Sequence, residues 1–389
     1  MAPVVPMSRR FFLVKAGSLL SAAVLSPSSH AREPWTQRAL PYRSYIDDAT
    51  GARVYCLTEG NANNTIVYQT HPMWTPGMQY LLFVSDRLGG AKRLFALEFF
   101  AGRVHPLDTP PLQDFALAPS SRTLFGISER QLWQLDVQEA VQEGTKVKVL
   151  DELPAALLST SGGMAVHPGA DSIYVGATLE PEKRWGIFRF DVMTKTWRLL
   201  AELPFKVGHV QTNPAGSPWL SFCHETSGDA PQRIWLMDRH SGRVATVFPE
   251  QQGEWVTHEV WWGPREILFT VWPYDEVRRK IPYGIAGCRL PTQRTVFYAQ
   301  YPAWHVHGSS DRRWIMGDDF ERNIWLIHPG RRERRLLSAG HMANDIKVHP
   351  HGSFTPDNRG VLINSSRFGC YDLLLIVRPR FEHLPPASA

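Results

Sequence analysis

Short apolar runs separated by polar turns recur along nearly the whole chain. Tyr80-Leu81-Leu82-Phe83-Val84, Trp219-Leu220-Ser221-Phe222-Cys223, Glu266-Ile267-Leu268-Phe269-Thr270 and Gly360-Val361-Leu362-Ile363-Asn364 are of this kind. They are too short for a helix face and rich in residues that favour strands. Similar turns punctuate them: Thr75-Pro76-Gly77, Ala118-Pro119-Ser120, His167-Pro168-Gly169, Asn213-Pro214-Ala215, Gly263-Pro264-Arg265, Ser309-Ser310-Asp311 and Thr355-Pro356-Asp357. Between their central residues the intervals are 43, 49, 46, 50, 46 and 46 residues. A second run follows, often ending in aspartate, as in Gln131-Leu132-Trp133-Gln134-Leu135-Asp136 and Gly186-Ile187-Phe188-Arg189-Phe190-Asp191. A tight hairpin such as Ala101-Gly102, Ser241-Gly242 or Pro329-Gly330 then leads into a last run.

Four short strands in each unit of roughly 40–50 residues is the pattern of a β-propeller blade. The spacing therefore predicts an all-β chain folded as a seven-bladed β-propeller. The seventh unit runs out near Pro379 with only three strands, while Asp47 to Thr58 reads as a closing hairpin and final strand with no blade before it. That N-terminal strand is expected to complete the last blade, so that no sheet edge is left open. The ring is expected to be one domain, residues 32–389, because a lone blade cannot bury both its faces.

Composition adds a leader to this picture. Ser8-Arg9-Arg10-Phe11-Phe12-Leu13-Val14-Lys15, the apolar stretch from Ala16 to Leu25 and the small residues around Ala31 have the order of a twin-arginine export signal over residues 1–31. The expected location is periplasmic or secreted. The apolar stretch is about half the length of a membrane span, so no anchor is expected once the signal is removed. Arg9, Arg10 and Lys15 are its only charged residues, which leaves 39 basic against 37 acidic residues in the mature chain. That near balance gives no footprint for nucleic acid. Cys56, Cys223, Cys288 and Cys370 are scattered, without metal-ligand or disulfide spacing.

The histidines carry the candidate chemistry. His71, His209, His258, His305, His307, His349 and His351 all fall a few residues before their blade's turn, on strands expected to line the central channel. His224 follows a strand and is expected near the same rim. In Val348-His349-Pro350-His351-Gly352 a strand would put both imidazoles on one face, since side chains alternate with period two. Such a pair is half of a metal site, and Trp304-His305-Val306-His307 offers partners one blade earlier.

Gly208-His209-Val210-Gln211, Phe222-Cys223-His224-Glu225, Gln232-Arg233-Ile234-Trp235, His258-Glu259-Val260-Trp261, Gly317-Asp318 and His349-Pro350-His351 with Phe354-Thr355-Pro356-Asp357 occur in this order. Together they resemble the oligogalacturonate lyases, seven-bladed propellers that cleave short pectic fragments by β-elimination. The resemblance implies His258 as base and Arg233 near the substrate carboxylate. It also implies a divalent metal, typically manganese, on His305, His349 and His351. His209, His224 and His71 are assigned to the substrate pocket wall. The family glutamine three residues before the His-Pro-His pair is replaced by Ile346, which cannot ligate. The fourth position would fall to water, His307, Asn344 or Asp345. The chemistry suits the residue types. Removing a poorly acidic proton beside a carboxylate needs an unprotonated base near neutral pH and a cation on that carboxylate. The expected partner is a uronate-containing oligosaccharide. Two other readings remain open: a non-catalytic propeller of the TolB type that binds protein or glycan, and a lyase for another uronic-acid polysaccharide.

Overall fold

Tyr80–Ser85, Gly360–Ser365 and Glu266–Trp272 are buried almost end to end, as strands covered on both faces must be. Outer strands such as Thr196–Leu203 alternate or are largely exposed. The computed structural model describes residues 34–251, 253–272, 283–342 and 348–387. The export signal lies outside the described residues, as do Asn344, Asp345 and Ile346. Of the segment Met1–Arg38, the described part is a 3-10 turn, Trp35–Gln37. Ala39–Ala389 is a single compact unit.

Seven antiparallel sheets follow one another along the chain, and each of the first six has four strands in sequence order. Their innermost strands are Asn64–Ile66, Asp114–Leu117, Ser159–Val166, Val207–Thr212, Trp255–Trp261 and Ala303–Gly308. The fold is therefore the seven-bladed β-propeller expected. Hydrophobic clusters join adjacent blades, for example Phe222, Val210 and Met237 with Tyr174 and Ile187. Blade 2 departs from the hairpin pattern: a helix, Val137–Glu143, separates its last two strands, with Asp136 accepting from Gln138 and Glu139 amides at its start.

The seventh sheet has five strands. Ser353–Phe354, Gly360–Ser365 and Asp372–Val377 come from the C-terminal end, and Arg53–Cys56 pairs with the last of them as expected. An additional strand, Arg43–Ile46, then covers Arg53–Cys56 on the outside. At the seam Leu57 N–H donates to Leu373 O at 2.8 Å and Asn64 N–H to Tyr371 O at 2.7 Å. The cysteines are free, and no helix among the described residues is long and apolar enough to cross a membrane.

Candidate active site

The inner strands do not run smoothly through the channel. Pairing with the next strand is interrupted between Gly208 and Gln211, between Thr257 and Val260, and between Ala303 and Val306. His209, His258 and His305 sit in these three interruptions. His209 and His258 have φ of 48° and 56°, and His351 has 45°. A left-handed residue in a bulge breaks the in-out alternation and re-aims its side chain, at a local cost of order 1 kcal/mol. Blade 3 has Ser161, Gly162 and Gly163 in its interruption, and its one side chain there, that of Ser161, donates to Val207 O at 3.0 Å.

His349 and His351 are also close, but not by strand alternation. Their strand begins only at Ser353, and the preceding segment is irregular. Asn364 holds it: its N–H donates to Pro350 O at 2.9 Å and its Nδ2 to His349 O at 3.0 Å. The same side chain accepts from Ile66 N–H at 2.9 Å, which ties blade 7 to blade 1.

His305, His349 and His351 each direct a ring nitrogen to one region, with the ligand atoms within 4.8 Å of one another. His305 is 0% exposed. Its Nδ1–H donates to Asp318 Oδ2 at 2.8 Å, and its backbone N–H to Asp318 Oδ1 at 2.6 Å. Its Nε2 is buried without a hydrogen-bond partner. A buried imidazole nitrogen left bare, with the other nitrogen fixed by a carboxylate, is the arrangement of a metal ligand. Three converging imidazoles fit a divalent ion of the zinc, copper, iron or nickel kind, and manganese would need oxygen ligands to complete its shell.

His258 packs on this cluster, 4.3 Å from His305 between ring centroids, with Trp272 on another side at 5.7 Å. Burial first, then the neighbouring His305 and His351, push its pKa well below 6.5, so its ring is neutral. Its Nδ1 lies 3.1 Å from Tyr68 Oη.

Arg233 is 4% exposed and flanked by two carboxylates, with Nη2 3.5 Å from Glu225 and Nε 3.5 Å from Glu259. Glu259, 0% exposed, also accepts from His209 Nδ1 at 3.0 Å. Burial pushes the Glu259 carboxyl up, but His209 and Arg233 more than offset this and hold it at about 2. His209, Cys223 and Glu225 could also gather around an ion, yet Arg233 already sits against Glu225.

The remaining candidates are dispersed. His224 packs against Phe205 with the rings tilted and their centroids 4.6 Å apart. His71 and His307 line a separate cavity of about 490 Å³ at the ends of the inner strands, with Trp74, Trp261 and Trp262. None of His209, His258, His305 and His351 lines it. Burial lowers both His71 and His307 to about 4.

Asp318, Glu259, Asn364 and Tyr68 were not singled out by sequence reasoning. Asp318 and Glu259 stood inside motifs without a role. Tyr68 follows a three-residue strand, and its only signal is its blade position among the histidines.

No family model matches the chain. An oligogalacturonide lyase of Pectobacterium atrosepticum is 23% identical over 203 residues, which are 46% of this chain and 52% of that protein. The match thus spans about half the length of that curated relative. A solved oligogalacturonate lyase in complex with manganese superposes with TM-score 0.76 at 20% identity, over 88% of this chain and 97% of the other. One from Vibrio parahaemolyticus gives TM-score 0.76 at 17% identity, over 88% and 98%. The WD40 repeats of RRP9 reach 0.57 at 11% identity, over 87% and 100%, so the ring alone says little about chemistry. In sequence and in fold the chain is similar to oligogalacturonate lyases.

Proposed function

We propose that this oligogalacturonate lyase-like propeller cleaves short uronate-containing oligosaccharides by β-elimination. The observation that carries the reading is the bare, buried Nε2 of His305 beside His349, His351 and the neutral imidazole of His258. His258 would take the proton from C5 of a uronate, the electron pair would form the C4–C5 double bond, and the C4–oxygen bond would break, the leaving oxygen taking a proton from water. Histidine suits this step because it is unprotonated near neutral pH. His305, His349 and His351 would hold a divalent ion whose charge stabilises the carboxylate as negative charge develops on it. Manganese is the ion in the solved relative, and the same ion is proposed here.

Arg233 takes a different part from the one its motif implies. With Glu225 and Glu259 both at 3.5 Å, a direct grip on substrate would require one of them to give way. Its charge also disfavours protonation of His258. Its proposed role is to balance the carboxylates and keep the base neutral. The leader pattern supports export by the twin-arginine route, with the reaction taking place outside the cytoplasm.

The test is incubation of the mature protein with digalacturonate and with other uronates, following unsaturated products. His258→Ala is expected to lose about two to four orders of magnitude in kcat. Binding measured by calorimetry should be retained, because the ion's ligands lie on other residues. A fully active His258→Ala protein overturns the assignment. Binding without turnover in the unaltered protein would instead identify a non-catalytic module.

A further inference from the structure

A base on a ring with two nitrogens needs the right one bare. If His258 Nε2 carried the hydrogen, the nitrogen left to accept a proton would be Nδ1, which is engaged with Tyr68 at 3.1 Å. Among the described residues, Tyr68 is the one hydrogen-bond partner of the His258 side chain. Its ring is wedged in the same cluster, 4.9 Å from His209 and 5.0 Å from His351. Tyr68 comes from blade 1 and His258 from blade 5, so this contact crosses the channel. A phenol oxygen can both donate and accept. His258 itself sits in the bulge between Thr257 and Val260 in a left-handed backbone conformation, φ 56°.

We propose that Tyr68 is the positioning residue of the base: its Oη accepts from His258 Nδ1–H and thereby leaves the Nε2 lone pair bare. This rests on the lyase reading for its catalytic consequence, but the contact itself does not. The role parallels that of Asp318 on His305, where an oxygen on Nδ1 likewise leaves Nε2 bare. The two neighbouring imidazoles are thus set to the same tautomer by two different partners. One would face the metal ion and the other the proton to be removed.

The test uses Tyr68→Phe, which keeps the ring against His209 and His351 and removes only the oxygen. In zinc-loaded protein, nitrogen-15 spectra assigned by comparison with His258→Gln should show His258 protonated at Nδ1. In Tyr68→Phe the signals should move to a mixture of the two tautomers. With digalacturonate, kcat should fall about 10- to 100-fold, the range seen when a metal-bound imidazole loses the partner of its other nitrogen, while KM and bound metal stay unchanged. An unaltered His258 tautomer, or full kcat in Tyr68→Phe, overturns the proposal. The spectra decide the tautomer whether or not the protein turns over substrate. An inactive unaltered protein would therefore count against the lyase reading and not against the Tyr68–His258 contact.

Discussion

His305 shows how much of a site can rest on one nitrogen. Its backbone N–H and its Nδ1–H both go to Asp318, so one carboxylate sets the position, the rotation and the tautomer of the ring. Buried groups with no room to reorganise depend on such partners, since an unmatched polar atom there costs about 1–3 kcal/mol. Asp318→Asn keeps the shape but can present an amide N–H where the ring needs an acceptor. Metal affinity, measured by competition with a chelator, should fall about 10- to 100-fold. Unchanged affinity would mean that Asp318 supports the fold and not the ion. Glu259 plays a comparable part across blades, since His209 and Arg233 both lean on it.

At the scale of elements, the N-terminal hairpin decides whether the ring closes. Arg53–Cys56 was legible as an orphan strand, because a closing run without a blade has only one partner available. The strand outside it, Arg43–Ile46, was not, because its burial pattern is mostly exposed and carries no apolar alternation. The turn between them is anchored by Asp47, which accepts from Ser338 Oγ at 2.6 Å and from Ala339 N–H at 3.0 Å. Its other oxygen accepts from the amides of Ala49 and Thr50 at 3.0 and 3.1 Å. Removing residues 42–58 would strip two strands from the last sheet and leave these donors and the edge of Asp372–Val377 bare. The truncated protein should melt well below the mature chain, or fail to fold. Equal melting temperatures would refute closure by this hairpin.

At the scale of the molecule, the ring buries neutral histidines, His71 and His307 at the channel and His341 beside the outer strand of blade 6, and this gives it a direction of acid sensitivity. Burial holds His71, His307 and His341 at about 4, against 6.5 for the free side chain. The unfolded chain therefore binds more protons than the folded one between these values. Their contribution is complete above about 6.5 and is lost as the pH falls toward 4. Glu259, held at about 2 against 4.5, contributes above 4.5 and is lost only below that. Asp114, Glu250 and Asp372, which burial raises to about 7, 8 and 6, act in the opposite direction over the same interval, so the histidine contribution is read against a variant: metal-free protein should lose more Tm between about pH 7 and about pH 5 than its His341→Gln form does. Equal Tm changes in the two proteins would show that the His341 imidazole is hydrated and not buried.

The repeat of turns and apolar runs by itself determined the seven blades and the closing strand, because strand pairing in a propeller is local and each unit carries its own hydrophobic pattern. It also determined that histidines would crowd the channel, since inner strands converge there whatever their side chains. Tertiary structure alone decided which of them meet. The bulges at His209, His258 and His305 and the irregular approach to His351 break the period-two rule on which sequence reading depends. Asn364, Asp318 and Tyr68 act on residues of other strands or blades, so no local pattern marks them. His71 and His307 share the blade positions of the others yet face a different cavity. A ring brings equivalent positions together, but the direction of each side chain is set by backbone detail that a hydrophobic pattern does not encode.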